Sequence, residues 1–138
     1  MSEDRIEALL RGAGVNYERA GENIWRLSPG EKRNITGTLV WIKEAFRKKG
    51  ELIKINNDLG KLPKDAGVSF YHDVLRKNRD IGHGSFALRD EDDICFTDTL
   101  ELDNCDQNEM DATLDWLVKA KELFENKLDR SKLPYIEN

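Results

Sequence analysis

The chain has 138 residues, of which 36% are charged and 38% are hydrophobic, and its formal net charge is −5. This length predicts one domain that buries its own core without disulfides or a structural metal. The longest apolar run is only Leu39–Ile42, and residues 1–4 begin no apolar signal segment, so we expect a cytoplasmic protein that does not span a membrane.

The first half of the chain predicts a helix followed by an antiparallel meander. Ser2 can cap a helix in which Ile6, Leu9 and Leu10 fall on one face, so we predict a helix over residues 2–12. Extended segments follow, and short turns between them favour antiparallel pairing. These segments lie around Val15 and Tyr17, at 24–27, at 35–46 and at 51–56.

The second half predicts two helices that flank a hairpin. The first of these helices begins near Asp65 and ends before Gly82. Its expected apolar face consists of Val68, Tyr71, Val74, Leu75 and Asn78. A hairpin follows, with Phe86 and Leu88 on one strand and Ile94 and Phe96 on the other.

The last predicted helix covers about residues 107–129 and is the most periodic part of the chain. Its stripe consists of Met110, Leu114, Leu117, Lys121, Phe124 and Leu128. The pattern as a whole predicts an α+β domain over residues 1–129, with helices packed on an antiparallel sheet in the order α-β-β-β-α-β-β-α. Residues 130–138 lack any periodicity and are expected to form a flexible tail.

Charge is divided unevenly along the chain. Residues 1–80 hold 16 basic and 12 acidic residues, whereas residues 81–138 hold 6 basic and 15 acidic ones. An acidic second half disfavours a broad nucleic-acid surface, because contacts to phosphates need lysines and arginines on one face. The basic cluster at 47–49 is the exception, and it leaves a nucleic-acid-associated regulator as an alternative.

No sequence motif of a known catalytic or cofactor site is present. The chain contains no G-x-S-x-G, no P-loop and no G-x-G-x-x-G after a strand. Cys95 and Cys105 lack C-x-x-C spacing, so we predict reduced thiols and no metal site. We therefore predict no enzyme, catalytic residue or cofactor. A small enzyme or ligand-binding domain that uses His72 or His83 with a nearby carboxylate remains an alternative.

Four large apolar residues are candidates for contact with a protein partner. Leu39 and Trp41 lie in a segment whose two faces are both apolar, although the outer face of a one-sided sheet is usually polar. Trp116 and Leu123 lie away from the main stripe of the last helix. Aromatic and aliphatic side chains of this size often anchor protein interfaces.

The segments 73–78, 84–88 and 94–102 together resemble the type III secretion chaperone-like superfamily. In that superfamily a helix ends in a Leu-Leu-x-x-Asn-like segment and is followed by a strand with a phenylalanine, a turn, a second strand and a long helix. Here Leu75, Asn78 and Phe86 occupy such positions. Within the superfamily, the chain looks more like the YbjN-type proteins than like a dedicated secretion chaperone. The resemblance implies a small cytoplasmic homodimer that binds a segment of another protein and has no catalytic residue.

Overall fold

The computed structural model describes residues 2–43, 50–61, 67–89 and 93–124. Three helices are α1 (Ser2–Gly12), α2 (Val68–Lys77) and α3 (Gln107–Leu123). The strands are β1 (Asn16–Gly21), β2 (Ile24–Ser28), β3 (Gly37–Ile42), β4 (Leu52–Lys61), β5 (Ser85–Leu88) and β6 (Asp93–Glu101). All strand pairs are antiparallel, and the sheet has the order β1-β2-β3-β4-β6-β5.

The α+β class and the antiparallel sheet with packed helices are confirmed. Four strands, rather than three, lie between α1 and α2, because β1 pairs with β2 as a strand of its own from Asn16 opposite Ser28 to Gly21 opposite Ile24. Helix α1 has the bounds that the spacing predicted. The expected end of the last helix at residue 129 and the expected tail at 130–138 lie outside the described residues.

The core lies between one face of the sheet and the helices α1 and α3. Trp25, Leu39 and Ile55 lie side by side across β2, β3 and β4, and all three are fully buried. Met110 and Leu114 of α3 belong to the same apolar cluster, as do Ile6, Leu9 and Leu10 of α1. Burial of these side chains is the main term that stabilises the domain.

The helix α2 buries only part of the apolar face that the sequence predicted. Phe70 and Val74, four residues apart, are the buried pair of this helix. Val68 and Leu75 are exposed, although they belonged to the predicted apolar face. Both stripes have helical spacing, so periodicity alone could not decide which one would face the core.

Candidate functional site

The most unusual surface of the domain lies on α2 and at the end of β5. Among the described residues, only four large apolar side chains are exposed: Val68 (82%), Tyr71 (39%), Leu75 (66%) and Leu88 (53%). We call these four residues the α2–β5 surface. A cluster of large exposed apolar side chains is typical of a surface that binds another protein.

Three of these residues lie on one face of α2, and the fourth lies at the end of β5. Val68, Tyr71 and Leu75 have the spacing i, i+3, i+7, which places them on one face of α2. Only residues 62–67 separate Val68 from Lys61, whose partner across the sheet is Asp93. Leu88 pairs with Ile94, the next residue of β6, so the end of β4 and the end of β5 lie at the same end of the sheet.

The outer edge of β5 is closed by Asn78. The backbone N–H of Phe86 donates to Asn78 Oδ1 at 2.7 Å, and Asn78 Nδ2 donates to the Phe86 carbonyl oxygen at 3.4 Å. The free backbone groups of an exposed strand edge can pair with a strand of another chain. At Phe86 the Asn78 amide already bonds both backbone groups, so a second strand cannot pair there. The opposite edge of the sheet is β1, in which five of the six residues are exposed.

Two of the four predicted docking residues lie inside the domain. Leu39 is fully buried and Trp41 is 6% exposed, because both point to the face of the sheet that the helices cover. The Trp41 indole N–H donates to Glu51 Oε1 at 2.8 Å, which satisfies its one polar atom. The docking role that we predicted for Leu39 and Trp41 is therefore corrected to a role in the core. On the other face of the same strand, Val40 and Ile42 are half-buried.

The other two predicted residues share one side of α3. Trp116 and Leu123 are seven residues apart, and both are half-buried against the edge of the core. Trp116 packs against Gly82, and Lys119 Nζ lies 4.8 Å from the centre of the indole ring. The structure thus keeps Trp116 and Leu123 together and separates them from Leu39 and Trp41.

None of the four residues predicted for docking lies on the α2–β5 surface. Its signal was present, because α2 carries Val68, Tyr71 and Leu75 in addition to Phe70 and Val74. A ten-residue helix with two apolar stripes has more apolar side chains than one contact with the core can bury. Such an excess is the pattern that would have identified this surface.

Among the residues that the structure describes, neither histidine forms the acid–base pair that the enzyme alternative needs. His72 is exposed, and its Nδ1 lies 2.9 Å from Nη2 of Arg76 rather than beside a carboxylate. His83 Nδ1 lies 3.7 Å from Asp98 Oδ2, which is longer than a hydrogen bond. The same oxygen of Asp98 already accepts a hydrogen bond of 2.8 Å from Thr113 Oγ1. The basic cluster 47–49, on which the nucleic-acid alternative depends, lies outside the described residues.

The two cysteines are buried and are not joined in a disulfide. Burial raises the pKa of the Cys95 thiol, and the nearby Asp58 carboxylate raises it further. Burial, with a smaller contribution from Glu109, raises the pKa of Cys105 to about 11. Within the described ranges, no three His, Cys, Asp or Glu side chains lie close enough together to hold a metal ion. None of the described helices is long and apolar enough to cross a membrane.

Comparison with known proteins agrees with the fold and identifies the family. The crystal structure of an uncharacterized protein from Methanothermobacter thermautotrophicus matches with a TM-score of 0.67 and 13% sequence identity, over 95% of this chain and 99% of that chain. At this identity the match shows a shared fold. A search of curated proteins gives no match.

The family model CesT_Tir_1, which describes type III secretion chaperone-like proteins, matches residues 31–130. The match includes β3, β4, α2, β5, β6 and α3, and it confirms the superfamily resemblance that the sequence suggested. Its chaperone character supports a protein-binding role and points to a protein that is not an enzyme. Because the match covers most of the chain, this protein belongs to the type III secretion chaperone-like family CesT_Tir_1.

Proposed function

We propose that this protein is a non-enzymatic chaperone-like or regulatory domain of the YbjN type that acts as a cytoplasmic homodimer and docks a segment of a partner protein. The family supports the protein-binding role. The observation that carries the dimer is the α2–β5 surface, which exposes four large apolar side chains. Association that covers this surface would remove apolar area from water, which is the main driving force of most interfaces.

A two-fold dimer fits the arrangement of this surface. In such a dimer the same patch of both copies meets itself, and residues near the axis meet their own counterparts. Tyr71 lies between Val68 and Leu75 along the exposed stripe of α2, so two copies of this helix would bring the two Tyr71 side chains close together. Tyrosine is also enriched at the centres of interfaces.

Partner docking would then use surfaces that the dimer leaves open. The closed edge of β5 disfavours addition of a strand at Phe86, whereas β1 at the opposite edge offers its outer side for pairing with an extended segment. Trp116 and Leu123 remain candidate contacts for the partner, because both are partly exposed on α3.

A cysteine cross-linking experiment tests the dimer and its location. In the Tyr71→Cys variant, mild oxidation should give a disulfide-linked dimer, because the two introduced thiols would face each other across the axis. Cys95 and Cys105 should not interfere, since both are buried and burial raises the pKa of both thiols. The control is Ala20→Cys, which places a thiol at an exposed position of β1, at the far edge of the sheet.

Fast cross-linking of Tyr71→Cys and slow cross-linking of Ala20→Cys would support the proposed dimer. Equal rates for the two variants would contradict the location of the interface. A monomeric mass for the unmodified chain in light scattering at high concentration would contradict the dimer itself.

A further inference from the structure

A cleft of about 670 Å³ lies between the segment that leads into β3 and the C-terminal half of α3. Lys32 and Ile35 line one side of it, and Leu117 and Lys119 line the other. Asn57 of β4 lies on its wall. The cleft shares no residue with the α2–β5 surface and contains none of the four residues that the sequence marked for docking.

Asn57 is the feature that indicates a ligand. It is only 4% exposed and continues the inward-facing row of Ile53 and Ile55, where an apolar residue would be expected. Within the part of the chain that the structure describes, its side-chain amide makes no hydrogen bond. Buried polar groups are nearly always paired, so an unpaired amide on the wall of a cleft is suited to a polar group from outside.

The charge of the cleft indicates which charge its ligand would carry. Its described lining includes four cationic side chains, of Lys32, Arg33, Lys119 and Lys121, and two carboxylates, of Asp115 and Glu122. Arg33 is held by two carboxylates, with Nε 2.9 Å from Asp115 Oδ1 and Nη1 3.6 Å from Asp111 Oδ1. With Asp111 included, four cations and three carboxylates leave the cleft net positive by one charge on a chain whose net charge is −5, which would attract an acidic ligand.

The mixture of groups favours a peptide over a small anion. A primary amide can bond both the N–H and the C=O of one peptide unit, and Asn78 pairs with Phe86 in this way within the same chain. Val118, which is half-buried on the wall of the cleft, supplies apolar surface for a side chain of the ligand. Inorganic phosphate has no apolar part to contact the apolar wall and no N–H to donate to the Asn57 side-chain oxygen.

We propose that this cleft binds an extended, acidic segment of a partner polypeptide. Asn57 pairs with one peptide unit of the segment, and Lys32 and Lys119 face its carboxylates. This proposal rests on the partner docking proposed above and gives it a site and a chemistry. It adds the cleft as a docking place separate from the β1 edge.

Nuclear magnetic resonance of the ¹⁵N-labelled full chain provides the test. The probe is a short synthetic peptide of alternating glutamate and valine, compared with a lysine–valine peptide and with inorganic phosphate. We expect the glutamate peptide to shift the Asn57 side-chain amide signals and to bind at least about tenfold more tightly than the lysine peptide, because the charge of the cleft discriminates between them.

Two variants and a control complete the test. Asn57→Leu keeps the volume but removes the amide, and Lys119→Glu reverses one exposed charge at the cleft without repacking the core. Each should weaken binding of the glutamate peptide by about tenfold. Lys54→Glu, which reverses an exposed charge on the opposite face of the sheet, should leave binding unchanged.

Several results would overturn the proposal. The proposal is wrong if the two peptides bind equally well, or if Lys119→Glu binds the glutamate peptide as tightly as the unmodified chain does. It is also wrong if inorganic phosphate alone shifts the same signals. Signals of cleft residues that shift with protein concentration in the absence of peptide would show contact between copies of the chain instead. If the glutamate peptide binds but shifts only signals of β1, the cleft is wrong while partner docking stands. If the chain binds neither peptide, the cleft proposal fails, and the cross-linking of Tyr71→Cys still decides the dimer separately.

Discussion

Asn78 at the end of α2 binds both backbone groups of Phe86, with its Oδ1 2.7 Å from the backbone nitrogen and its Nδ2 3.4 Å from the carbonyl oxygen. The pair joins the end of the helix to the edge of the sheet. It also blocks strand addition beside the exposed Leu88, on the side of the molecule where we place the dimer interface. On this side of the molecule, a helix contact between copies is thereby favoured over pairing of β5 edges.

Replacement of Asn78 should destabilise the domain and open its edge. In Asn78→Ala the backbone groups of Phe86 lose their partners, so we expect the free energy of unfolding in urea to fall by about 1–3 kcal/mol. We also expect oligomers larger than a dimer in size-exclusion chromatography, because the edge of β5 becomes available. Asn108→Ala, at an exposed position of α3, is the control and should change neither measurement. Unchanged stability of Asn78→Ala would show that the pair contributes nothing to the fold.

A second prediction concerns the hydrogen bond between Thr113 and Asp98, which joins α3 to the sheet. Thr113 is fully buried, and its Oγ1 donates to Asp98 Oδ2 at 2.8 Å. Thr113→Val keeps the shape and removes the donor, so we expect a loss of about 1–3 kcal/mol in thermal or chemical unfolding. Thr99→Val makes the same change at an exposed position of β6 and should cost far less. Equal effects of the two substitutions would contradict this role of the bond.

The third prediction is a pH dependence that arises from Cys105. Burial raises the pKa of its thiol from 9.0 to about 11 in the folded state, so the folded chain retains this proton where the unfolded chain loses it. The contribution to stability is therefore complete below about pH 9 and is lost as the pH rises towards 11, by up to about 1.4 kcal/mol for each pH unit. Urea unfolding at pH 8 to 11 should show a steeper decline for the unmodified chain than for Cys105→Ala. Parallel declines would show that this thiol does not contribute.

Local patterns of the sequence predicted most of the fold. The spacing of Ile6, Leu9 and Leu10 led to the bounds of α1, because this signal acts within a few residues. Ser2, which the sequence predicted as the cap, is the first residue of the helix, and its Oγ donates to Glu51 Oε2 at 3.0 Å. Alternation along β4 likewise puts Ile53 and Ile55 on one face of the strand, and both are buried. In both elements the physical cause lies within the segment itself.

The surfaces were harder to predict, because burial depends on which other elements cover a residue. Leu39 and Trp41 were interpreted as contacts for a partner, yet the helices cover that face of β3. On α2, two apolar stripes competed for the core, and only packing decides in favour of Phe70 and Val74. Asn57 did leave a signal, since a polar residue interrupts the inward row of β4, but its cleft forms only when residues 32–35 meet α3.

The central claim is that the chain works as a dimer through the α2–β5 surface, and sedimentation equilibrium tests it most directly. The monomer has a mass of 15.9 kDa. The unmodified chain and the control Ala20→Glu, at an exposed position of β1, should both show about twice this mass. Leu75→Glu, which places a charge within the apolar stripe, should show 15.9 kDa with an unchanged circular dichroism spectrum. A mass of 15.9 kDa for the unmodified chain, or a dimer that persists in Leu75→Glu, would contradict the claim.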